Sequence, residues 1–77
     1  MTVEELEQAL RAFASRRRFR PFLIEFTSGD RILVSHPEAI RRYQTLFLYS
    51  GTDGGYRIFA PAQVCQLLDQ PPRPPAR

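Results

Sequence analysis

The sequence predicts an α+β domain. One N-terminal helix is followed by a strongly bent four- or five-stranded antiparallel sheet that forms a small, partly open barrel. Three observations lead there. Apolar residues recur at helical spacing up to Ala14, but from Phe22 onward they alternate or come in short blocks. Clusters of Gly, Pro, Ser and Asp separate those blocks, as turns separate strands. A chain of 77 residues holds one domain; we place it at residues 1–69, with a Pro-rich disordered tail at 70–77.

The helix spans 2–14. Thr2 with Glu5 three places on is a capping-box pattern. Glu4, Glu5 and Glu7 lie near the positive end of the helix dipole. Val3, Leu6, Ala9, Leu10 and Phe13 form the stripe that needs a partner surface. Pro21 biases Arg20 towards extended geometry and ends the helical pattern. Residues 22–27 then alternate, with Phe22, Ile24 and Phe26 on one face and Glu25 and Thr27 on the other. Residues 27–30 form a turn with Gly29 available for positive φ, and residues 31–35 return as a second strand. Pro37 stops strand pairing, and Pro37-Glu38 suits one helical turn or a sharp bend through Arg41-Arg42. Residues 45–49 make a third strand, 50–55 a glycine-rich hairpin loop, and 56–60 a fourth strand. Pro61-Ala62-Gln63 is a short 3₁₀-like turn. Residues 64–68 fit a fifth strand or a short helix, because periodicity does not decide over five residues.

Composition excludes several classes. A single Cys forbids an internal disulfide, and one His with one Cys cannot build the usual four-ligand zinc site. No cofactor motif is present: the loop Gly51-Thr52-Asp53-Gly54-Gly55 has no Lys and lacks phosphate-loop spacing. No apolar run approaches the roughly 18 residues of a membrane span. The acidic start is unlike a signal peptide, so the expected address is cytoplasmic and no membrane partner is expected. All 11 cations are Arg, against 8 acids, giving net charge +3. Their distribution matters more than the total. Residues 1–10 carry three Glu and no cation, whereas residues 11–20 carry Arg11, Arg16, Arg17, Arg18 and Arg20 and no acid.

Two resemblances follow. The run Arg20-Pro21-Phe22, then Gly29-Asp30, then Val34-Ser35-His36-Pro37-Glu38 resembles a group of short, planctomycete-like bacterial proteins. These carry an RPF…G…V-x-HPE pattern after an N-terminal helix. The likeness spans roughly residues 3 to 68 and implies no activity. The element order is also similar to the bacterial Sm-like RNA chaperones. Residues 24–29 sit where their first motif ends in glycine, and Tyr56-Arg57 resembles the aromatic-basic opening of their second. The His that follows in that family is Ile58 here, in the region that lines its uridine-binding pore. Arg16-Arg17-Arg18 resembles that family's arginine patch near the end of its helix. The resemblance implies a small Sm-like or SH3-like barrel that pairs strand edges into a homo-oligomer and binds RNA. Small size and unpaired edges point the same way to a homo-oligomer.

The candidate nucleic-acid site is Arg16, Arg17, Arg18 and Arg20 with Phe19 inside the run. Guanidinium groups pair with phosphates and an aromatic ring stacks on bases. The competing reading is a solvated linker with Phe19 in the core. Arg41, Arg42 and Tyr43 form a second basic-aromatic cluster, against a polar loop with Tyr43 half-buried. His36 lacks an oriented partner and reads as a surface or structural residue. Cys65, in an apolar stretch, reads as a small buried hydrophobe. No nucleophile–base pair or carboxylate pair marks an enzyme. The leading expectation is a non-enzymatic, self-associating barrel that binds single-stranded RNA through the Arg patch. The alternative is a protein-interaction module using an exposed strand edge and an apolar face, with the tail assisting.

Overall fold

The computed structural model describes residues 1–70; apart from Gln70, the expected tail lies outside the described residues. Helix α1 spans Val3–Ala14 and begins on the expected capping box. The Thr2 amide donates to Glu5 Oε1 at 2.8 Å, and the Glu5 amide donates to Thr2 Oγ1 at 3.1 Å. Six strands follow: β1 Phe22–Phe26, β2 Arg31–Val34, β3 Ile40–Tyr43, β4 Leu46–Ser50, β5 Tyr56–Phe59 and β6 Val64–Asp69. Two 3₁₀ turns, η1 at Pro37–Ala39 and η2 at Pro61–Gln63, stand before β3 and β6.

The α+β class holds, but the expected sheet and barrel are corrected. Six strands form two separate three-stranded antiparallel sheets, ordered β2-β1-β6 and β3-β4-β5, and no closed barrel exists among the described residues. The extra strand is β3, where a bend was expected. Pro37 breaks pairing after β2, η1 turns the chain, and Ile40 then pairs with Tyr49 to start a new ladder. The β3–β4 turn has only two central residues, Gln44 and Thr45, because Tyr43 pairs directly with Leu46. Gln44 takes φ +58°, a left-handed conformation that such a turn demands and that only Gly adopts freely. Residues 64–68, left open between strand and helix, are strand.

The core lies between the two sheets and α1. Phe22, Ile24 and Phe26 point inward from β1 at every second position, as their alternation predicts. Phe47 and Phe59 enter from the other sheet, Leu6 from the helix, and Val34, Ala39 and Val64 from β2, η1 and β6. Val3, Leu10 and Phe13 flank Leu6, so the helix stripe meets the surface it needs. Two aromatic contacts join the layers: Phe26 meets Phe59 edge-on at 5.1 Å and Phe13 tilts against Phe22 at 5.0 Å. Within its own sheet Phe59 stacks on Phe47 at 6.0 Å.

Candidate functional site

The structure divides the arginine run. Arg16 is drawn into the fold: its guanidinium donates to Asp69 at 2.6 Å, to the Arg20 carbonyl at 3.0 Å and to the Phe13 carbonyl at 3.1 Å. It also lies 5.0 Å from the Phe13 ring centroid. Arg20 reaches the same carboxylate at 3.5 Å. The hydrogen bond from Arg16, with Arg20 adding its charge, holds the Asp69 carboxyl below its usual range. Phe19 is half-buried and meets Phe22 edge-on at 6.2 Å. Its ring therefore serves the core, and Arg16 and Arg20 clamp the end of β6 to the segment after α1. Arg17 and Arg18 are exposed and make no ion pair among the described residues.

The second cluster is divided in the same way. Arg42 donates to the Gln44 carbonyl at 2.7 Å and pairs with Glu7 of α1. An apolar cleft of about 250 Å³ between α1 and β3 opens beside that pair. Arg41 faces the other way and has no ion-pair partner among the described residues. Tyr43 is 72% exposed rather than half-buried.

The direction of Arg41 and Tyr43 identifies a surface that no motif marks. Strand register sets three rows on the outer face of the β3-β4-β5 sheet: Tyr43–Leu46, Arg41–Leu48–Ile58, and Ser50–Tyr56. Their inward neighbours Phe47 and Phe59 are buried, so these side chains face solvent. Tyr56 is 75% exposed and Ile58 66%. Two hollows flank the middle row and share Leu48 and Ile58 as walls. One, of about 520 Å³, is completed by Arg41, Ser50 and Tyr56. The other, of about 260 Å³, is completed by Tyr43, Leu46 and Phe47. Among the described residues the face carries one charge, Arg41, and no acid. β5 is also the outer strand of its sheet and leaves one side of its backbone unpaired.

Leu46, Leu48, Tyr56 and Ile58 were not among the expected site residues. A signal for them exists in the sequence. Leu46-Phe47-Leu48-Tyr49 and Tyr56-Arg57-Ile58-Phe59 put apolar residues on both faces of a strand, and such strands need cover on both sides.

His36 is exposed and makes no side-chain hydrogen bond that caps η1. Residues 51–55 form the expected hairpin loop, with the Gly51 amide donating to the Gly55 carbonyl at 2.7 Å. Cys65 is exposed, which corrects its assignment as a buried hydrophobe. The register shift between Glu25 and Phe26 turns Val64 inward and leaves Cys65 outside the ladder. Gln66 then faces Glu25, donating at 2.6 Å beside Arg31 at 3.0 Å. These two bonds, Gln66 first, hold the Glu25 carboxyl below its usual range. Among the described residues no helix is long and apolar enough to cross a membrane. In comparisons with protein-family models, curated proteins and solved structures, the chain matches none.

Proposed function

We propose that this chain is a non-enzymatic protein-interaction module. Its docking surface is the outer face of the β3-β4-β5 sheet together with the open edge of β5. The observation that carries this reading is the continuous exposure of Tyr43, Leu46, Tyr56 and Ile58 on one face. Contiguous apolar surface of this kind marks interaction sites. Tyrosines supply large contact area with few rotatable bonds. The adjacent edge offers backbone donors and acceptors to an added strand.

A second reading, RNA binding, is favoured by a separate observation. Arg17, Arg18 and Arg41 make no ion pair among the described residues, and the rings of Tyr43 and Tyr56 are open to stacking. In that reading Arg16, Arg20 and Arg42 are structural, and phosphates meet the other three.

Capture from cell extract by the tagged chain separates the two. The interaction reading expects a stoichiometric polypeptide, whether another protein or an untagged copy, that survives nuclease and is lost with Ile58→Asp. The RNA reading expects nuclease-sensitive material, lost with Arg17→Ala/Arg18→Ala and weakened steeply by salt. Capture that Ile58→Asp leaves unchanged refutes the docking surface.

A further inference from the structure

We infer that the occupant of this face is a second copy of the chain, seated face to face about a two-fold axis. The inference rests on the reading of the face as a docking surface and names what covers it.

The face is complementary to itself. An axis lying along the Arg41–Leu48–Ile58 row exchanges the two outer rows when the copies are stacked. It also exchanges the two hollows, because they flank that row and share its Leu48 and Ile58. Tyr43, which borders one hollow, then enters the other hollow of the second copy. There Arg41 and Ser50 offer donors to the phenol oxygen, and the Arg41 guanidinium lies against the ring. Tyr56 enters the all-apolar hollow beside Leu46. Each copy thus provides two projecting rings and two depressions, and every ring has a place.

The axis brings the two Arg41 side chains together with like charge, and each turns outward onto the Tyr43 ring of the other copy, whose negative face attracts a guanidinium. Area favours this occupant. Taking about 200 Å² for a whole aromatic side chain, Tyr43, Tyr56, Ile58 and Leu46 leave roughly 500 Å² in water per copy. Two copies remove roughly 1,000 Å², the threshold for a specific interface, before Arg41 and Leu48 are added. Face-to-face stacking also keeps the strands of the two sheets within about 30° of each other, as in aligned sandwiches. The β5 edge stays open to a further partner strand.

The test is light scattering of the purified full chain from about 10 μM to about 1 mM, where mass action favours association. One chain is 8.9 kDa, and the expected mass is that of two chains. Ile58→Asp and, separately, Tyr56→Arg raise the dissociation constant roughly thirtyfold or more, since Ile58 lies on the axis row and Tyr56 fills a hollow of the second copy. Leu33→Asp, on the outer face of the other sheet, leaves it unchanged. Circular dichroism confirms that each variant is folded. A monomer at every concentration, a ring-sized mass, or a dimer indifferent to Ile58→Asp overturns the inference. So does concentration-dependent protection of the β5 edge amides from hydrogen exchange, which would assign the contact to edge pairing. A monomeric pure chain that still captures a different polypeptide through Ile58 overturns the second copy alone and leaves the docking surface standing.

Discussion

Because no backbone ladder joins the two sheets among the described residues, their union depends on side chains. Phe59 is the joint: it meets Phe26 of the first sheet at 5.1 Å and Phe47 of its own at 6.0 Å. It is 2% exposed. Replacing it with Ala removes a buried ring and leaves a cavity, at a cost of about 4 kcal/mol. Whole-domain stability at this length is roughly 4–11 kcal/mol. Phe59→Ala therefore removes at least a third of it and lowers the melting temperature by roughly 15–30 °C. Urea unfolding followed by circular dichroism measures the loss, with an unchanged slope showing that the same surface is exposed. A Phe26→Leu/Phe59→Leu cycle isolates the edge-on contact, for which we expect a coupling of about 1 kcal/mol. A Phe59→Ala cost below about 1.5 kcal/mol, or a coupling of zero, would show that the sheets are held together by something else.

Three further predictions concern local structure. Gln44→Gly relieves the left-handed φ of the two-residue β3–β4 turn and stabilises the domain by about 1 kcal/mol; an unchanged or lower melting temperature contradicts that strain. Thr2→Ala removes the side-chain half of the capping box and costs about 1 kcal/mol, read as a melting shift of roughly 4–8 °C, while Ala at exposed Gln8 changes little. Glu25 has a folded pKa below its ordinary 4.5 because Gln66 and Arg31 donate to its carboxylate. The unfolded chain then binds the proton more readily. The stability from this group is full above about pH 4.5 and declines as pH falls through the folded value. Glu25→Gln should flatten that part of the urea-midpoint profile, and a wild-type profile level down to about pH 3 would remove the basis for the expectation.

The helix, β1, β2 and both 3₁₀ turns were legible because their signals are local. Thr2 and Glu5 mark a cap, Phe22, Ile24 and Phe26 alternate, and Pro37 and Pro61 pre-set φ. β3 was hidden for a matching reason. Ile40-Arg41-Arg42-Tyr43 buries almost nothing, so hydrophobic pattern is silent, and its strand character comes from pairing with β4. The turn that enables this pairing contains Gln44 and Thr45 where Asn or Gly would have announced it. Cys65 was misplaced because a register shift arises between strands distant in sequence. Of the candidate site, Arg41 and Tyr43 were visible as a cluster. Leu46, Leu48, Tyr56 and Ile58 were not, because an outward apolar residue looks like a core residue until register assigns its face.

Several arginines serve the fold itself. Arg16 joins the segment after α1 to β6, Arg42 joins β3 to Glu7 of α1, and Arg57 joins β5 to Asp30 in the β1–β2 turn. Arg57 also lies 4.0 Å over the ring of Phe26. Each of these pairs links elements that no ladder connects. The pairs reach solvent, and each contributes little to stability on its own. Their effect is geometric: a planar fork with fixed donors orients the pieces it touches. Arg16, Arg20, Arg42 and Arg57 are taken up within the fold, and of these Arg57 bridges the two sheets. Reversing one link provides the test. Glu7→Arg places like charges at the α1–β3 contact, and Arg42→Glu added to it restores an opposite pair in swapped order. If orientation is what the pair supplies, the double variant recovers hydrogen-exchange protection at the α1 amides that the single variant loses. Equal protection in both would show that apolar packing around Leu6 alone sets the helix in place.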